Sequence, residues 1–153
     1  MEHGKYKHTF ELKVRNYEID WQGIVHNGNY LLYFEAARVD YFKHVGMEID
    51  ERAITGKTKI VVVRNEFDYL ATATFDDPLT VYTRIAAIKN SSIICEAEMM
   101  HSTKKIPIAK NVCILVWLDP STNTSKSVPT EFRKKVQKFE GDAAAIEWPS
   151  IEV

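Results

Sequence analysis

The chain has 153 residues, of which 45% are hydrophobic and 27% charged, and a formal net charge of −1. That length suits one domain with a sizeable core, and the near-neutral balance excludes a bulk-charge attraction to nucleic acid. The apolar runs fall short of the roughly 20 residues that span a bilayer. The opening residues, MEHGKYKHTFELKV, lack an apolar signal core, so a cytoplasmic protein is expected.

Alternation comes first in chain order. Tyr6, His8, Phe10, Leu12 and Val14 share one face, with Lys5, Lys7, Thr9, Glu11, Lys13 and Arg15 on the other. Period two over residues 5–15 predicts a strand with one wet side. From Tyr30 the spacing becomes three and four: Tyr30, Phe34, Ala37, Tyr41 and Val45, widened by Leu31 and Phe42. This stripe predicts a long, largely buried helix, capped by Asn27 or Asn29 and stopped by Gly46. Strands are then expected over residues 59–69, 79–88, 93–101 and 106–118. The turns between them are Asp76-Asp77-Pro78, Lys89-Asn90-Ser91-Ser92 and Ser102 to Lys105. The last strand is apolar on both faces, as a central strand would be. Residues 129–139 predict a short surface helix opened by Pro129. The acidic, alanine-rich tail over 141–153 is expected to be poorly ordered.

Strand, long helix and four strands in meander make an α+β domain with an antiparallel sheet, covering residues 1–140. One helix cannot cover every apolar strand face, so a homodimer or homotetramer is expected. Cys95 and Cys113 both fall inside strands and read as buried, reduced thiols. There is no Cys-x-x-Cys and no zinc-like ligand spacing, so neither a metal nor another cofactor is expected.

Chemistry concentrates in the stretch YEIDWQGIVHNGNYLLYFEAAR, which begins at Tyr17. Asp20 stands three residues before Gly23 and shortly before a helix start. Free N–H groups at a helix N-terminus polarise a carbonyl placed against them. A carboxylate on the preceding loop can attack that carbonyl or activate water beside it. The same spacing also suits a plain turn residue followed by a capping cluster.

As a whole, the stretch resembles the start of hotdog-fold acyl-CoA thioesterases of the 4-hydroxybenzoyl-CoA thioesterase family. Asp20, Gly23, Ile24-Val25, Asn29-Tyr30 and Glu35-Ala36-Ala37-Arg38 carry the pattern, and FDYLATATFDDPLTVYTRI continues it. The resemblance implies a hotdog fold, with an antiparallel sheet wrapped around one long central helix. It also implies hydrolysis of an acyl-CoA to the free acid and coenzyme A, which is then part of the substrate and not a cofactor. Asp20 is the implied nucleophile or general base, and the Asn27 backbone N–H the implied oxyanion donor, in a site at a dimer interface. Many relatives carry histidine at the Asn27 position; here the histidine is one step earlier, at His26. Gly23, Val25, His26 and Tyr30 are expected around the substrate. Glu35 is the helix carboxylate near it, or else pairs with Arg38 at i, i+3. Lys89, Ser91 and Ser92 match the family's basic nucleotide-binding stretch. A second cationic turn, Lys104-Lys105, lies about 26 Å away along one strand. A thioesterase for acyl-carrier protein and a non-catalytic acyl-CoA-binding hotdog module are the alternatives.

Overall fold

The computed structural model describes residues 3–47 and 58–149. Among these, six strands and two helices follow in the order β1 (His8–Lys13), α1 (Asn27–Val45), β2 (Lys59–Tyr69), β3 (Pro78–Ile88), β4 (Ser92–His101), β5 (Pro107–Leu118), α2 (Thr130–Glu140) and β6 (Ala145–Ile146). The sheet order is β1-β3-β4-β5-β2, antiparallel throughout, with β6 added to β3 in parallel. β1 alternates as its sequence demands, burying His8 and exposing Thr9, Glu11 and Lys13. β5 lies between β4 and β2, which explains why neither of its faces is polar. β2 is an edge strand.

α1 packs on one face of the sheet through Tyr30, Tyr33, Phe34, Ala37, Arg38, Tyr41, Phe42 and Val45. The stripe is displaced from the expected one: Leu31 is exposed, and Tyr33 takes its place against the sheet. Gly46 ends the helix at φ +104°, a left-handed backbone that glycine adopts without a Cβ clash. The expected N-cap is corrected as well. The cap is His26, whose Nδ1 accepts the Gly28 N–H at 3.0 Å, and both Asn27 and Asn29 lie inside the helix.

The expectation of one central helix needs a second correction. α2 shares the covered face and is no surface helix. Phe132 and Val136 join Tyr41, Phe42, Ile85, Ile93, Leu115 and Trp117 in one apolar cluster. Arg133 is only 1% exposed. Its guanidinium donates to the carbonyls of Val128 (3.0 Å), Asn90 (2.8 Å) and Glu147. Glu140 is also buried; its Oε2 accepts the Tyr41 hydroxyl at 2.6 Å and the Ile85 N–H at 3.1 Å, beside the bulge between Ile85 and Ala87. Nor is the tail loose between residues 141 and 149. Gly141–Ala143 forms a 3-10 turn, Ala145 and Ile146 pair with Ala87 and Ile88, and Glu147 N–H donates to Ile88. Residues 150–153 lie outside the described part of the chain.

A separate apolar cluster fills the other end of the sheet, with Val14, Val25, Tyr30, Phe34, Leu79, Val81, Met99 and Ile108. Cys95 and Cys113 face each other across β4 and β5 as free thiols. Burial pushes both thiols up, Cys95 to about 12, so neither offers a thiolate for chemistry.

Candidate active site

The segment between β1 and α1 folds back on itself. A short 3-10 turn, Asn16–Glu18, leads into an isolated antiparallel bridge between Ile19 and Val25. At its tip, Asp20 N–H donates to Ile24 (2.8 Å) and Gly23 N–H to Asp20 (3.0 Å). Gly23 sits at φ +82°, which is why glycine closes this turn. The Asp20 carboxylate takes part in its own turn through Oδ1, which accepts the Gln22 N–H at 2.8 Å.

The chain far downstream braces this loop. Val25 N–H donates to Ala73, and the Thr74 hydroxyl to the Gly23 carbonyl. Behind the loop, the Glu18 carbonyl accepts both the His26 N–H (3.0 Å) and the Asn29 side-chain amide (2.8 Å). The Glu18 carboxylate is buried. Burial alone would raise its pKa, but hydrogen bonds from the Arg15 side chain and backbone, both at 2.7 Å, hold it below the usual carboxylate range. Asn29 and the Arg15–Glu18 pair therefore fix the angle at which the loop enters α1.

An open cleft of about 350 Å³ results, lined by Asp20, Trp21, Gln22, Ile24, Val25, His26 and Asn27. The Asn27 N–H is the first of the helix and has no acceptor among the described residues, whereas its neighbour at Gly28 is spent on His26. A carboxylate and a free helix N-terminal donor thus line one cleft, groups able to attack and to polarise a carbonyl placed there.

Asp20, Val25, His26 and Asn27 line this cleft, and Gly23 closes the turn beside them. Tyr30 does not reach the cleft. It is buried, edge-on to Tyr33 and Tyr69, and anchors the helix start to the sheet. Glu35 is exposed two turns along α1 and makes no ion pair with the buried Arg38. Lys89 and Ser91 are in the turn between β3 and β4, and Ser92 opens β4, at the Ile88 end of β3. The Asp20 loop is tied to the Pro78 end through Ala73 and Thr74. β3 has 11 residues, so the two groups are roughly 33 Å apart within one protomer. Lys104 and Lys105, between β4 and β5, share the Asp20 end of the sheet. No periodicity or motif singles out Trp21. It is 93% exposed at the tip of the loop, and its place next to Asp20 was the available signal. No cluster of metal-binding side chains occurs among the described residues, and no described helix is long and apolar enough to cross a membrane.

Residues 14–136 match the thioesterase-like superfamily. The chain belongs to that superfamily. The antiparallel sheet packed against α1 is hotdog-like, with α2 as a second helix on the covered face. Among curated relatives of this superfamily member, the acyl-CoA thioesterase YbgC of Haemophilus influenzae is 27% identical over 84% of this chain and 90% of its own length. A chloroplastic acyl-acyl carrier protein thioesterase of Arabidopsis thaliana, ATL3, is 28% identical over 86% of this chain and 68% of its own. Among solved structures, a Thermus thermophilus thioesterase complexed with coenzyme A and zinc superposes with a TM-score of 0.78. It is 27% identical, covering 90% of this chain and 97% of that one. A Staphylococcus aureus protein in complex with CoA reaches 0.80 at 16% identity, over 95% of this chain and 94% of that one, a likeness of fold alone.

Proposed function

We propose that the protein is a thioester hydrolase that cleaves an acyl-CoA to the free acid and coenzyme A, as in the 4-hydroxybenzoyl-CoA thioesterase branch. The observation that carries this reading is the cleft where the Asp20 carboxylate and the unspent Asn27 N–H lie together. The thioester carbonyl oxygen accepts from Asn27, which stabilises charge as it develops on oxygen. Asp20 then attacks the carbonyl carbon to form an acyl-enzyme anhydride that water hydrolyses, or removes a proton from the attacking water. Either route expels the coenzyme A thiolate. His26 is no proton carrier at Nδ1 while that atom caps the helix.

The active form in this reading is a dimer. β2 is an edge strand with Val62 and Val63 exposed, and Tyr69 and Leu70 are exposed again at its far end, beyond the Arg64–Glu66 ion pair. Antiparallel pairing of two such edges sets the Tyr69 end of one protomer beside the Lys59 end of its partner. The Lys89 turn lies at the Lys59 end of its own sheet. Pairing would therefore bring Lys89 of the partner subunit toward the thioester cleft, to meet the nucleotide phosphates across the interface.

The likeness to the Arabidopsis enzyme makes acyl-carrier protein the competing donor of the acyl group. Thiol release from matched acyl-CoA and acyl-carrier-protein substrates separates the readings. Turnover of acyl-CoA is expected. Turnover of the carrier-protein substrate alone would move the assignment there, and binding without any thiol release would reduce the protein to an acyl-CoA-binding module.

A further inference from the structure

The segment that braces the Asp20 loop is itself held by two titratable side chains outside the cleft. Between β2 and β3, Asp77 Oδ2 accepts the Thr74 N–H at 2.9 Å, and the Asp77 N–H donates back to the Thr74 carbonyl at 3.1 Å. Asp76 turns the chain between them at φ +72°, a left-handed backbone uncommon outside glycine. The same turn grips the chain that leads into the loop. Val14 N–H donates to Asp77 and Asp76 N–H to Val14, both at 3.0 Å. The other carboxylate oxygen, Asp77 Oδ1, lies 3.4 Å from Nε2 of His101, the last residue of β4. His101 is buried, and its Nδ1 accepts the N–H groups of Thr103 (3.3 Å) and Lys104 (3.1 Å). Backbone N–H groups only donate. Nδ1 therefore carries no proton, and the ring proton is on Nε2, the nitrogen facing Asp77.

Building on the hydrolase reading, we propose that Asp77 and His101 are positioning residues for Asp20 and act on it through Thr74. The contacts run from His101 to the Asp77 carboxylate and on to the Thr74 N–H. The Thr74 hydroxyl then donates to the Gly23 carbonyl at 2.9 Å, and the Gly23 N–H to the Asp20 carbonyl at 3.0 Å. Neither Asp77 nor His101 lines the cleft. The loop needs such support because Trp21, Gln22 and Gly23 are exposed at its tip. Segments with few buried contacts open at low free-energy cost, and a misplacement of about 1 Å can slow a reaction about 100-fold. The Nε2 proton holds one Asp77 oxygen and leaves the other to Thr74. The turn between β4 and β5 is in turn fixed to β3, where Ser102 N–H donates to the Pro78 carbonyl at 2.8 Å.

Substitutions that replace one ring nitrogen at a time test this. Glutamine puts an amide donor near the position of Nε2, whereas asparagine keeps an acceptor near Nδ1 and loses the donor toward Asp77. His101→Asn and Thr74→Val are each expected to lower kcat for an acyl-CoA about tenfold or more with KM unchanged. Both are expected to speed hydrogen exchange of the Asp20 and Gly23 amides, read by NMR. His101→Gln and Thr74→Ser are expected to stay near wild type in both measurements. The double variant His101→Asn with Thr74→Val should lose less than the product of the single losses, as residues acting through one connection do. A loss in His101→Gln as large as in His101→Asn would make His101 a support of the β4–β5 turn and overturn the proposal. A kcat unchanged by His101→Asn or by Thr74→Val overturns it too. Faster exchange in those two variants of a wild type that releases no thiol would overturn the hydrolase reading and leave the brace standing.

Discussion

At the Pro78 end of β3, the Asp20 loop holds a carboxylate oxygen and a helix N–H open to solvent. At the Ile88 end the same sheet closes over comparable groups: Arg133 is enclosed by three carbonyl acceptors, and Glu140 takes donors from Tyr41 and Ile85. Both ends are polar, but they use polarity differently. Arg133 is matched by the chain itself, and Glu140 through one of its two oxygens, so these buried charges serve the fold. Where a donor and an acceptor remain unspent beside one cleft, they are available to a substrate.

The largest effect should come from the open end. Asp20→Asn preserves the shape but removes the charge, and is expected to lower kcat about 100- to 10,000-fold with the unfolding midpoint unchanged. Wild-type turnover by that variant would shift the chemistry to Glu35. The closed end should respond the other way round. Arg133→Met strands three carbonyls and is expected to cost about 3 kcal/mol in urea unfolding, while kcat/KM per folded molecule holds. A selective loss of activity there would erase the distinction between the two ends.

A smaller effect tests whether the ends meet across subunits. Lys89→Ala should raise KM for acyl-CoA with kcat near wild type, the mark of lost uniform binding. Added salt should shrink the difference, since exposed charge pairs are screened over about 8 Å at physiological ionic strength. An acyl-pantetheine without the nucleotide should not register the substitution; equal damage on both substrates would place Lys89 in the fold and send the search for the nucleotide to Lys104 and Lys105. If the active species proved monomeric by light scattering, this route across the interface would also fail.

The smallest effect concerns Glu18, which lies behind the site. Its folded pKa is depressed below an unfolded value of about 4.3. Its contribution to stability is therefore complete above that value and is lost as pH falls through the lower folded pKa. Urea midpoints of the wild type should drop more steeply than those of Glu18→Gln below about pH 4. Parallel curves would show that the Arg15–Glu18 pair adds nothing to the loop.

Local pattern made much of the architecture legible. Alternation located β1, three- and four-residue spacing located α1, and Gly46 marked its end, because each depends on residues that are close in sequence. The candidate chemistry came from resemblance: spacing alone left Asp20 either a turn residue or a reacting group, and Asn27 entered through the likeness to the thioesterase family. α2 was harder to read. TEFRKKVQKFE is mostly charged, and it becomes part of the core only because Phe42 and Trp117 leave a gap that Phe132 fills.

By itself, then, the sequence determined which segments alternate, which segment coils, and which short stretch collects a carboxylate before a helix. Tertiary structure alone decided the rest. It put Ala73 and Thr74 behind the Asp20 loop, made His26 the cap, and brought Arg133 into the interior. It also separated Lys89 from Asp20 by the length of β3. The reason is physical: strand register and helix docking are set by pairings between residues tens of positions apart, and no local periodicity encodes them.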